Sequence, residues 1–63
     1  MQYRVDVPNK KPEIVNTIND ALYFASCNVY MSPNTRHNVL KSLLNGEIAM
    51  YSYGFNQVQI TPI

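Results

Sequence analysis

Cysteine, glycine and charge are all scarce in this chain of 63 residues. Cys27 is the only cysteine, so no disulfide can form within the chain. His37 is the only histidine, and with Cys27 it leaves the soft ligands short of the four that a structural zinc takes. Two glycines cannot build a Gly-rich phosphate loop. Five basic residues against four acidic ones give a net charge of +1, too balanced for a surface that tracks phosphate. No apolar run is long enough to cross a membrane. The eight asparagines are scattered, with no repeat or low-complexity tract. Met1-Gln2-Tyr3-Arg4 enters a strand pattern at once, which argues against a signal peptide. With the lone cysteine, this predicts a cytoplasmic protein.

A chain of this size, read as a single domain over residues 1–63, buries only about 60% of its unfolded surface. Small domains compensate with disulfides, metals or self-association. The first two have no support here, so a homo-oligomer is expected, a dimer before any other.

Tyr3, Val5 and Val7 alternate with Arg4 and Asp6 as a short strand, broken by Pro8-Asn9-Lys10-Lys11. Pro12 suits the first position of a helix, and Glu13 its first turn. Ile14, Val15, Ile18, Ala21, Leu22 and Ala25 form one stripe at helical spacing, predicting a helix from Pro12 to Ser26 or Cys27. Asn28 to Met31 is a connector with apolar residues to add to the core. Ser32-Pro33 starts a second helix, Val39, Leu40, Leu43 and Leu44 form its stripe, and Asn45-Gly46 ends it.

The last third alternates like a hairpin with a turn around Gly54-Phe55-Asn56. Ile48, Met50, Val58 and Ile60 read as its core face. Ala49, Tyr51, Tyr53, Gln57, Gln59 and Thr61 read as a second, aromatic and neutral face. The predicted fold is α+β: a β-α-α-β-β domain with a three-stranded antiparallel sheet and both helices on one face. Which later strand pairs with the first is left open.

Catalytic chemistry finds little to stand on. Cys27 and His37 lie on different elements without a third group, and read as a small buried thiol and an exposed helix histidine. Asp6, Glu13, Asp20 and Glu47 are dispersed, whereas acid–base work needs convergence in a cleft. No enzyme activity and no cofactor or metal are expected. Arg36 breaks two local rules: it falls within the second helix's apolar stripe and in its first turn, where a cation opposes the dipole. It either snorkels into water from the core edge or meets an acidic group on a partner. Tyr51 and Tyr53 either cover structure, form a protein interface or stack bases, with only Arg4 beside them to hold phosphate. Tyr23 and Phe24 form a second aromatic site, for a dimer contact or for packing against Tyr30 or Met31.

The expected function is a non-enzymatic protein-binding module that occludes a partner, with Tyr51, Tyr53, Arg36, Tyr23, Phe24 and Arg4 as candidate interface. In size and plainness the chain resembles the small host-directed inhibitors and anti-defence proteins of bacteriophages, which would place it in the host cytoplasm. One alternative is a reduced winged helix-turn-helix regulator reading DNA with Asn34, Arg36, His37, Asn38 and Lys41. Another is an oligomer that holds a nucleotide-like ligand between protomers.

Overall fold

The computed structural model describes all 63 residues. Its elements run β1 (Tyr3–Asp6), β2 (Glu13–Val15), α1 (Ile18–Asn28), α2 (Pro33–Leu44), β3 (Ala49–Tyr53) and β4 (Asn56–Pro62). The class is α+β, as the sequence implies, but the sheet has four strands rather than three, in the order β2-β1-β4-β3, all antiparallel. The molecule is 15 Å across its thin dimension, the thickness of one sheet and one helix layer.

The extra strand lies where a first helical turn is expected. Lys11 precedes Pro12, and the residue before proline is held out of the helical region. Ile14 and Val15 are β-branched and favour extended backbone. Asn9 takes the left-handed conformation (φ 64°), which asparagine tolerates, and turns the chain so that Glu13–Val15 pairs back onto β1. The helix begins only after Thr17, whose hydroxyl accepts the Asp20 N–H at 3.0 Å. Ile14 and Val15 therefore do not belong to the helical stripe, which reduces to Ile18, Ala21, Leu22 and Ala25.

The second helix follows its sequence signals. Ser32 caps it by accepting the Thr35 N–H at 3.2 Å, and Pro33 opens it. Gly46, at φ 75°, donates to the Leu43 carbonyl and ends it. α1 packs on β1 and β2, and α2 on β3, so both helices share one face of the sheet.

The hairpin register reverses one expectation. Its turn is the two residues Gly54-Phe55, with Tyr53 opposite Asn56. Gly54 alone has positive φ (64°), the signature of a type II′ turn. That count places Ala49 and Tyr51 on the same face as Val58 and Ile60. Ala49 (3% exposed) and Tyr51 (9%) are core, whereas Ile48 (55%) and Met50 (59%) lie open. β4 has the expected core face; β3 is out of phase with it by one residue. The core joins Tyr3, Val5, Leu22, Leu43, Val58 and Ile60 to smaller apolar side chains, and Phe24 and Met31 pack against it. No buried side-chain polar atom lacks a partner.

Candidate protein interface

Tyr51 is structural. Its ring is buried from β3 under the helix layer, and its hydroxyl donates to the Val29 carbonyl at 2.8 Å, just beyond the end of α1. Burial pushes the phenol up to about 12, because the anion would be poorly solvated there. Tyr51 is thus withdrawn from the expected binding face.

Tyr53, two residues on, projects from the same side but past the edge of the core and is exposed. It meets Tyr30 from the α1–α2 connector edge-to-face, with ring centroids 5.1 Å apart and planes at 63°. Phe55 follows in the turn and is wholly in solvent. Its place is a consequence of local geometry: Gly54 supplies the positive φ, and the second turn residue points outward with nothing to pack on. Tyr30, Tyr53 and Phe55 make the hairpin end an aromatic, uncharged projection.

The remaining expected interface residues do not converge there. Arg4 lies on the opposite face of the sheet from Tyr51, where its Nε contacts Asp6 Oδ2 at 3.2 Å. Alternation along β1 requires this, since Tyr3 and Val5 point into the core. Tyr23 is exposed on α1, while Phe24, one residue later, is half-buried against the core. Arg36 is exposed on α2 and has no ion pair; it stands in the first turn of that helix, before Val39, the first residue that the core buries. His37 is exposed as expected, but Cys27 is exposed rather than buried, because α1 turns Ala21, Leu22 and Ala25 inward.

Tyr30 and Phe55 are surface residues that are not among those expected from the sequence. The signal for Phe55 was present in the Gly-X dipeptide of a II′ turn; nothing local marks Tyr30 as a partner of Tyr53.

Two hollows mark the surface. One of about 420 Å³ lies between the start of α1 and the end of α2, among Tyr3, Ile18, Leu40 and Leu44. The other, about 250 Å³, lies on the open sheet face between Asp6, Pro8, Gln57 and Gln59. Neither brings a nucleophile to a base, and no three His, Cys, Asp or Glu side chains gather in a metal-binding group. No helix is long and apolar enough to cross a membrane. No family model matches the chain, and no curated protein or solved structure is similar to it.

Proposed function

We propose that this chain is a non-enzymatic protein-binding module that occludes a surface on a partner protein. The observation that carries the reading is the hairpin end, where Phe55 stands fully in solvent beside the Tyr30–Tyr53 pair. Aromatic residues are enriched among the few that carry most of the binding energy at protein interfaces. The two-residue turn projects Phe55 outward as an anchor for an apolar pocket. No charge lies between Ile48 and Ile63, so the complementary surface is apolar and neutral rather than acidic or basic. The same absence weakens the DNA-reading alternative, whose wing would have nothing with which to hold phosphate. The likeness in type to phage-encoded host-directed proteins belongs with this reading: a small rigid body with one projecting anchor is suited to blocking a site.

The test is capture from a native-cell lysate followed by mass spectrometry, with three forms of the chain. A partner retained by the wild type and by Tyr23→Ser, but lost by Phe55→Ser with an unchanged far-UV spectrum, is the expected result. Equal retention by Phe55→Ser would overturn the reading. Tight, salt-sensitive binding to nonspecific duplex would replace it with the DNA alternative.

A further inference from the structure

The outer edge of β3 is the longest stretch of unpaired backbone in the sheet. β3 is hydrogen-bonded to β4 on one side only, and no loop or side chain donates to its other side. Which peptide groups face outward follows from the ladder. Ile63 N–H donates to the Gln2 carbonyl at 2.8 Å, so Gln2, Arg4 and Asp6 exchange bonds with Ile63, Thr61 and Gln59. Asn56, Val58 and Ile60 then bond to Tyr53, Tyr51 and Ala49. The N–H and C=O groups of Ile48, Met50 and Ser52 point away from the sheet.

We propose that a second copy of this chain pairs with that edge, β3 against β3 in antiparallel register about a two-fold axis at Tyr51, giving one eight-stranded sheet. Two observations select this occupant. The segment is self-compatible in charge, because no Asp, Glu, Lys, Arg or His side chain occurs from Ile48 to Ile63. It is self-complementary in size: with Tyr51 opposite its counterpart, Ala49 faces Tyr53, Ser52 faces Met50, and Gly54 faces Ile48. On either side of that central tyrosine pair each large side chain meets a small one, and Met50 and Ser52 become bonded partners through the peptide groups already turned outward.

α1 and α2 lie on one face, α1 over β1 and β2 and α2 over β3, so a two-fold perpendicular to the sheet keeps the helices of both copies on the same face. The seam takes in Tyr53 but not Phe55, which lies in the turn beyond the last bonded pair, so the Phe55→Ser capture test and the tests of the seam remain distinguishable.

Light scattering on the purified full chain tests it. The wild type is expected at twice its 7.2 kDa mass. Met50→Lys combined with Ser52→Lys places lysines opposite each other across the seam and is expected to give a monomer with an unchanged far-UV spectrum; Ile14→Lys on the opposite edge is expected to leave the dimer intact. Amide exchange of the wild type gives a readout that needs no variant. The Met50 and Ser52 amides are expected to slow at least tenfold between dilute and concentrated samples, as their pairing becomes intermolecular. A wild-type monomer at the highest attainable concentration, a folded lysine variant that stays dimeric, or Met50 and Ser52 amides whose exchange ignores concentration would each overturn the proposal. A monomer whose edge a heterologous strand protects would assign the same edge to a different occupant and also overturn it.

Discussion

The two edges of this sheet are built to opposite rules. β2 has three residues, begins after Lys10, Lys11 and Pro12, and carries Glu13. Its bonded partners on β1 are Tyr3 and Val5, so Ile14 points outward and Pro12 stands at the next outward position, where it has no N–H to offer. Short length, charge and proline are the devices by which sheets discourage a foreign strand. β3 has five residues, no charge and no proline, and its outward positions are Ile48, Met50 and Ser52. A chain that closes one edge and leaves the other bare has a direction in which to grow, and growth by one copy consumes the bare edge. On the proposed pairing the result would be a closed dimer rather than a fibre, because the protected edges would face outward at both ends.

The bare edge is also the better anchored, and breaking that anchor has the largest expected effect. Tyr51 is buried and tied to Val29, whereas β2 contributes only the half-buried Val15. Tyr51→Ala should cost about 3–5 kcal/mol, much of the stability of so small a domain. Val15→Ala should cost roughly 1 kcal/mol. Urea unfolding compares them directly; equal losses would mean that the edges are held alike. Alkaline titration probes the same anchor. The folded phenol of Tyr51 is raised to about 12 from an ordinary 10. The unfolded chain therefore loses this proton first, and the contribution is complete below pH 10 and lost as pH rises from 10 through 12. Roughly 2 kcal/mol should disappear over that window, at about 1.1 kcal/mol per pH unit where the slope is steepest. Tyr51→Phe should abolish that part of the pH dependence while costing about 1 kcal/mol at neutral pH.

The asymmetry can be tested from its other side. Lys11→Thr with Pro12→Val restores an outward N–H and removes a charge at the β2 edge. If those residues are what closes that edge, the variant should go beyond a dimer, and light scattering should show mass rising with concentration without reaching a plateau. A species unchanged in size would show that the three-residue length of β2 is protection enough.

How much of this was legible in the sequence depended on whether a signal had one meaning. Ser32-Pro33 and Asn45-Gly46 bounded α2 correctly because a cap hydroxyl followed by proline, and a glycine after the last apolar turn, fit few other structures. Pro12 fits both the first turn of a helix and the end of an edge strand, and only the pairing of Ile14 with Arg4 decides between them. The alternation marks the hairpin but not its phase. Ile48 and Met50 are more apolar than Ala49, so side-chain character alone points the bulkier set to the core. The deciding information was the parity of the turn: two residues, Gly54-Phe55, put Tyr51 opposite Val58. Of the expected interface, Tyr53 stays at the surface, while Tyr51 became core and Arg4 went to the other face.

The smallest effect concerns the contact that joins the bare edge to the helix layer. Tyr30 and Tyr53 are both more than half exposed, so their edge-to-face contact should be worth only about 0.5–1 kcal/mol beyond the area it covers. A double-mutant cycle with Tyr30→Leu and Tyr53→Leu isolates that term in the unfolding free energy. Measured where the chain is dimeric, the same cycle reads the seam as well, because Tyr53 would stand opposite Ala49 of the other copy. A coupling equal in monomer and dimer means that the pair only steadies the connector; a coupling larger in the dimer means that the two rings belong to the edge that a second copy covers.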